Sequence, residues 1–183
     1  MGVEGIGARV ARKEDKRFLT GKGRYTDDMV VPGMKYAVFV RSPHAHATIR
    51  SIDATSAKSM PGVIDVLDGK QLLADGIGNL ICGWMIHSKD GSPMRMGAWR
   101  PLAHETVRYV GDAVAIVVAD SVAQARDAAE AVVVDYETLP VVTETLQALG
   151  EGEPQIHPEA PGNLIFYWEL GDACAADPAI AAA

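Results

Sequence analysis

Apolar residues recur in short runs that predict β-strands along most of the chain. The runs are rich in β-branched residues and end at Gly, Pro, Ser or Asp, which is typical of strands. They lie at 34–40, 46–53, 63–67, 113–120, 132–136 and 164–170. The run at 34–40 is predicted to be buried. Within 46–53, Ala47, Ile49 and Ile52 alternate and then slip, which predicts a strand with an irregularity near its end.

Helical patterns separate several of these runs. Shorter helices are expected after Asp53, which can cap the first of them, and at 68–76 and 143–150. The clearest helix is the alanine-rich segment 121–131, with Ser121 as its candidate N-cap. Its apolar face is predicted to contain Val122, Ala125, Ala129 and Val132.

The order of these elements predicts the fold class. The helix 121–131 lies between two strands and predicts a βαβ unit with a right-handed crossover. The segment 46–67 has the same order of elements in a shorter form. Two such units predict an α/β (α+β) fold in which helices cover a mixed sheet.

Changes in composition divide the chain into three parts. Residues 1–33 are turn-rich and predicted to be an irregular N-terminal extension, and residues 34–150 form the α/β domain. Residues 151–183 begin with a connection rich in Pro and Glu and end in a segment that resembles the first turns of a helix. We therefore expect 151–183 to be a linker and the start of a further domain, with a reading frame that continues past Ala183.

Residues 75–100 have no clear helical or strand period. They include Trp84, Trp99 and three methionines among several glycines, an unusual composition for a free surface loop. We expect little backbone hydrogen bonding to hold this segment. The sequence predicts a loop that is ordered by contact with other domains or subunits.

Charge and composition exclude some classes of protein. Hydrophobic residues make up 48% of the sequence, enough for a substantial core, and the formal net charge of −7 argues against nucleic-acid binding. The two cysteines, Cys82 and Cys174, form no metal or disulfide motif, as expected for a cytoplasmic protein. No apolar run approaches the ~18 residues that would predict a membrane span.

The pair His44 and His46 is the first candidate for chemistry. Residues i and i+2 of a strand share one face, so both imidazoles could bind one metal ion. A zinc or iron site needs a third protein ligand, and the candidates His87, His104 and His157 stand in no spaced motif. A structural role in the strand is the favoured interpretation.

Other motifs are also better explained by structure than by catalysis. The glycine-rich stretches at 5–10 and 20–25 lack the strand–glycine–helix context of a nucleotide loop. The carboxylate pairs Asp27–Asp28 and Asp135/Glu137 are expected to be turn and edge residues. Gly111, followed by Asp112 between two apolar segments, predicts a tight turn with positive φ.

Three ordered blocks of the sequence resemble a known family. Residues 12–63, which contain "VRSPHAHATIRSID", are similar to the opening of the large subunit of the molybdenum hydroxylases. Residues 107–140, which contain "VRYVGDAVAIVVAD", and 163–183, which contain "YWELGD", resemble later signatures of the same subunit. The "SPHAHA" and "YWELGD" segments are most similar to the carbon monoxide dehydrogenase type. Residues 75–100 match least.

The resemblance implies an α/β hammerhead domain that precedes two larger domains holding a molybdopterin cofactor. In this family a molybdenum-bound hydroxyl attacks the substrate with help from a carboxylate base, and electrons leave through iron–sulfur clusters to FAD on partner polypeptides. The family's cofactor ligands and base belong to motifs beyond position 183, so the resemblance assigns no catalytic, cofactor-binding or metal residue to this chain. It places His44 and His46 in a strand, and leaves carbon monoxide, aldehydes and heterocycles open as substrates.

Two other hypotheses come from different classes of protein. One is a freestanding α/β module that binds a small molecule beneath the Met- and Trp-rich segment 75–100. The other is a small metalloenzyme built on His44 and His46. Continuation of the reading frame past Ala183 favours the large-subunit hypothesis, an enclosed apolar pocket favours the module, and stoichiometric metal favours the metalloenzyme.

Overall fold

The computed structural model describes residues 12–182, and the contacts divide the chain into two units, Met1–Met34 and Lys35–Ala183. We describe each unit by itself.

The first unit contains more regular structure than the sequence predicts. Helix α1 spans Asp15–Leu19, and a 3-10 helix spans Thr26–Asp28. The rings of Phe18 and Tyr25 stack with their centroids 5.6 Å apart. A helix of five residues is too short to show an apolar period, which explains why the sequence predicts irregular structure here.

The second unit contains six named strands and further helices. The strands are β1 (Tyr36–Arg41), β2 (Ala47–Asp53), β3 (Val63–Asp68), β4 (Thr106–Val107), β5 (Ala113–Ala119) and β6 (Val133–Thr138). The α-helices are α2 (Thr55–Lys58), α3 (Gly69–Ala74), α4 (Val122–Glu130) and α5 (Ala173–Ala181). Two 3-10 helices span Gln147–Leu149 and Pro161–Asn163.

The six strands form two antiparallel sheets, with strand orders β1-β5-β3 and β4-β2-β6. The α/β fold class is confirmed, but the parallel βαβ units are not formed. Strand β5 pairs with β1 on one edge and β3 on the other, so no edge is free for β6, which pairs with β2 instead. In the same way, β2 and β3 belong to different sheets.

The core consists of two clusters of buried side chains that share neighbours. The first contains Ala57, Val66, Ala115, Val117, Ala128 and Val132, and the second contains Ala47, Ile49, Val107 and Val114. Val40, Ile52 and Val134 pack against both clusters and join them. Small residues dominate the core, which allows α4 to lie close against β1 and β5.

Helix α4 begins as predicted and buries most of the predicted face, since Ala125 and Val132 are buried and Ala129 packs against the core. Ser121 Oγ accepts a hydrogen bond from the Gln124 backbone N–H at 3.3 Å. Ala125 and Ala128 are fully buried, whereas Val122 is 41% exposed. Val122 lies in the first turn of the helix, and its predicted place on the apolar face is wrong.

Several other predictions need adjustment. Strand β1 is half-buried, with an exposed Phe39, because β1 is an edge strand. The Asp53 carboxylate accepts a hydrogen bond from the Thr55 backbone N–H at 2.9 Å, although the N-cap of α2 is Ala54. The helix predicted at 143–150 is only a 3-10 turn.

The strand predicted at 164–170 is not formed, because these residues pair with an irregular loop rather than with a sheet. Within residues 12–182, every helix is too short or too polar to cross a lipid bilayer.

Candidate functional site

His44 and His46 lie in the turn between β1 and β2, not on the strand that the sequence predicts. The turn is closed by Ser42, which is 2% exposed. Its Oγ accepts a hydrogen bond from the His44 backbone N–H at 3.0 Å, and its hydroxyl donates to the His44 carbonyl at 3.2 Å. Pro43 ends β1, and the chain restarts as β2 only after His46.

The two imidazoles have different neighbours. His46 Nδ1 lies 2.7 Å from the Pro140 carbonyl oxygen, so this nitrogen carries the proton and donates. The His44 ring meets the Tyr136 ring edge-on, with centroids 4.9 Å apart. Both imidazoles therefore contact neighbouring parts of the fold. Within residues 12–182, no three His, Cys, Asp or Glu side chains are grouped closely enough to hold a metal ion.

Tyr136 contributes a buried polar atom beside this turn. In the described part of the chain its hydroxyl oxygen makes no well-formed hydrogen bond. Burial raises the pKa of the Tyr136 hydroxyl, and the nearby Ser42 side chain opposes that rise.

The Gly111 turn is brought against the histidine turn. Gly111 has a φ of +92°, which confirms the prediction. Its N–H donates to the Ser42 carbonyl at 2.8 Å, and the Ser42 N–H donates to the Asp112 carbonyl at the same distance. Asp112 Oδ2 accepts a hydrogen bond from the Arg108 backbone N–H at 3.1 Å. The "SPHAHA" and "VRYVGDA" motifs therefore form one hydrogen-bonded unit.

A polar cleft of about 370 Å³ adjoins this unit. Arg108 lines this cleft, and its Nε donates a hydrogen bond to the Ile156 carbonyl at 3.1 Å. His157 lies next to Ile156 and is half-buried. Burial lowers the pKa of His157, and the nearby Arg108 lowers it further. From the sequence, His157 is a candidate only as a third metal ligand, and no pattern singles out Arg108. The two residues meet only in the tertiary structure.

Residues 75–100 are held by more backbone hydrogen bonds than the sequence predicts. Met94 donates to the Ile86 carbonyl at 2.8 Å and Ser88 donates to that of Ser92 at 2.7 Å, which closes an irregular hairpin. Two further bonds run to the predicted strand 164–170: Arg95 N–H to the Ile165 carbonyl and Lys89 N–H to the Tyr167 carbonyl, at 2.9 and 2.8 Å.

The hairpin and residues 157–165 line an open apolar cavity of about 340 Å³. Its lining includes Leu80, Met94, Met96, Trp99, Ala160 and Ile165, with Arg95 and His157 among its polar residues. We call this space the apolar cavity. It adjoins the polar cleft, because Trp99 and His157 line both spaces.

The carboxylate pairs make the local contacts expected of turn and edge residues. Asp28 Oδ2 accepts a hydrogen bond from the Tyr25 backbone N–H at 2.9 Å. Glu137 pairs with Arg50 across β2 and β6 at 3.2 Å. In the glycine stretch 20–25, Gly21 has a φ of +68° and follows the end of α1. The stretch 5–10 lies outside the described residues.

Two small antiparallel sheets joined through shared core residues, with helices between several of the strands, define an α/β domain. Residues 20–140 match the family model "aldehyde oxidase and xanthine dehydrogenase, a/b hammerhead domain". The chain belongs to this family.

Curated relatives agree with the family match. The carbon monoxide dehydrogenase large chain of Afipia carboxidovorans is 38% identical over 183 aligned positions, which cover 93% of this chain and 21% of the relative. The xanthine dehydrogenase molybdenum-binding subunit of Escherichia coli O157:H7 is 40% identical over 147 positions, which cover 80% of this chain and 19% of the relative. The chain therefore spans about a fifth of the length of these relatives.

Solved structures show the same fold. Quinoline 2-oxidoreductase from Pseudomonas putida matches with a TM-score of 0.72 and 42% identity, over 82% of this chain and 18% of that chain. Carbon monoxide dehydrogenase from Oligotropha carboxidovorans matches with a TM-score of 0.71 and 36% identity, over 97% of this chain and 22% of that chain.

Proposed function

We propose that this chain is a segment of the large subunit of a molybdenum-containing oxidoreductase, of the carbon monoxide dehydrogenase type or the aldehyde and xanthine hydroxylase type. One observation carries the proposal: 93% of this chain aligns with only 21% of a carbon monoxide dehydrogenase large chain, at 38% identity. The full-length subunit would oxidise or hydroxylate carbon monoxide, an aldehyde or a heterocycle.

Within that subunit, we assign this segment a structural and subunit-contact role rather than the catalytic centre. The polar groups that the sequence singles out are engaged in holding turns together. His46 donates to Pro140, Asp112 accepts from Arg108, and Gly111 donates to Ser42. His46 Nε2 and Asp112 Oδ1 keep free lone pairs, but in the described part of the chain no three His, Cys, Asp or Glu side chains are grouped closely enough to hold a metal ion, so we assign these contacts to the fold.

We infer that the described residues do not hold a molybdopterin cofactor. Helix N-termini bind anionic groups through free backbone N–H groups. Here Asp68, Ser121 and Asp172 already accept hydrogen bonds from those groups, at 2.8 Å from Gln71 and 3.3 Å from Gln124 and Ala175. We propose that the cofactor binds elsewhere in the large subunit, and that iron–sulfur clusters and FAD are carried by partner polypeptides.

A large apolar surface supports the contact role. It is formed by exposed side chains of residues 75–100 and of residues 164–170, which follow the 3-10 helix Pro161–Asn163. We define this contact face as Ile77, Leu80, Ile81, Trp84, Met85, Met96, Trp99, Ile165, Tyr167, Trp168 and Leu170. Exposed apolar side chains concentrated on two hydrogen-bonded segments are typical of interaction sites. Cys82 and Cys174 are exposed free thiols, which fits the reducing cytoplasm that we propose as its compartment.

Metal analysis tests the proposed division of labour. The 183-residue chain, and the longest open reading frame that contains it, are each produced in a host that makes molybdenum cofactor. We expect about one molybdenum per polypeptide in the longer product and none retained by the 183-residue chain after desalting. Stoichiometric molybdenum in the short chain, or none in a folded longer product, would contradict the proposal.

The contact face is tested separately in the longer product. Trp84→Asp places a charge on the face, whereas Val133→Asp places the same charge at an exposed site on strand β6. We expect Trp84→Asp to reduce the yield of intact subunit and Val133→Asp to leave it unchanged. Equal yields for the two variants would argue against this face as the contact.

A further inference from the structure

The apolar cavity is formed without any other chain. The Leu80 N–H donates to the Trp99 carbonyl at 2.7 Å, and the Arg95 N–H donates to the Ile165 carbonyl at 2.9 Å. These bonds hold three separate stretches of backbone around the cavity. Its volume of about 340 Å³ falls within the range of small-molecule pockets, about 300–1,000 Å³.

The side chains of the cavity favour a flat apolar group. Met94 and Met96 provide flexible, polarisable sulfur that contacts aromatic rings favourably. Trp99 adds an aromatic surface, and Leu80 and Ile165 add aliphatic ones. A cavity lined in this way has few polar groups to satisfy, so an aromatic ring enters it without losing many hydrogen bonds to water.

The charges around the cavity disfavour a cation. Arg95 lines the cavity, and its Nη1 makes only two long hydrogen bonds, each 3.4 Å, to the Pro161 and Leu164 carbonyls. Its remaining N–H groups can donate to a ligand. In the described part of the chain no carboxylate lines this cavity; the Glu159 carboxylate lines the adjoining polar cleft and lies against Gly97.

His157 adds a second polar group where the two spaces meet. It is half-buried, and burial lowers its pKa, which favours the neutral imidazole with one donor and one acceptor. An apolar pocket with a few convergent polar groups, one of them with a perturbed pKa, has the usual composition of a ligand site.

We propose that the apolar cavity binds a planar aromatic molecule that carries one anionic group. The ring lies among Met94, Met96 and Trp99, and the anionic group accepts hydrogen bonds from Arg95. This inference goes beyond the proposed large-subunit function. Leu80, Met96, Trp99 and Ile165 also belong to the contact face, so it requires that the contacting surface leave the cavity open.

A matched pair of probes tests the proposal on the 183-residue chain. 2-Naphthoate and 2-naphthylmethylammonium share one ring system and carry opposite charges. Isothermal titration at pH 7.5 should show a single site that binds the naphthoate at least tenfold more tightly than the ammonium probe. No saturable binding below ~1 mM, several weak sites, or equal affinities for the two probes would overturn the proposal.

Two variants locate the site. Ala98 is an exposed residue that lines the cavity, so Ala98→Phe should obstruct it and weaken naphthoate binding at least tenfold. Ala123→Phe makes the same change on the exposed face of α4 and should bind like the wild type. Unchanged binding by a folded Ala98→Phe chain, checked by circular dichroism, would show that the probe sits elsewhere.

The longer gene product distinguishes a ligand from a protein occupant. If it binds naphthoate with the same charge preference, the cavity stays available in the assembled subunit, as the proposal requires. If the short chain binds the probe and the longer product does not, another part of the protein fills the cavity, and the ligand proposal is overturned. Neither result depends on whether molybdenum is present.

Discussion

The sheets and the hairpin region use apolar residues in opposite ways. In β5, Val117 is fully buried between the flanking strands and α4. In the hairpin region, which we define as residues 75–100 with 161–170, Ile81 is 93% exposed and Trp84 is 78% exposed. Both regions are rich in apolar residues, yet only the first has a covering layer within the described chain.

The difference comes from how the backbone is held. Repeated hydrogen bonds along β1, β5 and β3 fix alternate side chains on one face, where helix α4 covers them. The hairpin region has isolated hydrogen bonds and no regular period, so no repeated ladder buries alternate side chains under a covering layer. An apolar composition therefore produces a core only where a regular backbone aligns the side chains.

The largest expected difference in the free energy of unfolding comes from placing an aspartate in each region. Val117→Asp buries an unpaired carboxylate and should lower the free energy of unfolding by at least about 4 kcal/mol. Ile81→Asp changes an exposed side chain and should alter it by less than about 0.5 kcal/mol. Urea denaturation of the 183-residue chain measures both. Similar losses in the two variants would mean that the hairpin region is part of the core.

A second comparison concerns backbone conformation rather than burial. Gly111→Val forces a β-branched residue to a φ of +92° and should cost about 1–3 kcal/mol. An added Cβ would meet no atom within 4 Å at Gly111 or at Gly83 in the hairpin region. The two sites differ in φ, which is positive at Gly111 and not at Gly83. Gly83→Val is therefore the matched control and should leave the melting temperature unchanged. Equal shifts for both variants would show that the Gly111 turn is not needed.

The third prediction concerns Asn163, which fastens one end of the hairpin region. Its Nδ2 donates to the Ala148 and Pro154 carbonyls at 2.9 Å, and its Oδ1 accepts from the Ile156 N–H at 3.0 Å. Asn163 has a φ of +56°, so Asn163→Gly removes these bonds without adding backbone strain. We expect a loss of about 1–3 kcal/mol by denaturation. Asn163→Asp replaces the donor with an oxygen that faces the Ala148 and Pro154 carbonyls, and it should lose at least as much. A smaller loss than in Asn163→Gly would show that the two donated bonds are not stabilising.

The smallest expected effect is a dependence of stability on pH through His157. Burial lowers its folded-state pKa below the unfolded value of 6.5, so the unfolded chain binds more protons between these two pKa values. The stability contributed by neutral His157 is therefore fully present above pH 6.5. It is lost as the pH falls from 6.5 through the lower folded-state pKa of His157. Melting temperatures from pH 8 to pH 5 should fall less in His157→Gln than in the wild type. His87→Gln, at an exposed site, is the control and should follow the wild type.

The sequence by itself determined the local elements of this protein. β-branched runs predicted five of the named strands, and small polar residues marked their ends: Ser121 caps α4, and Gly111 has the positive φ that its turn requires. These signals are local, because they depend on a residue and its neighbours within a few positions. Similarity of the same segments to molybdenum hydroxylases also predicted the family.

Only the tertiary structure decided which elements meet. The apolar pattern of β6 fits a partner in either sheet. Both edges of β5 are occupied by β1 and β3, so β6 pairs with β2 instead. The run at 164–170 has the composition of a strand but meets only an irregular hairpin, so it forms isolated hydrogen bonds. The Arg108–Ile156 contact and the apolar cavity join residues tens of positions apart. Such contacts depend on the packing of the whole domain, which a local pattern does not encode.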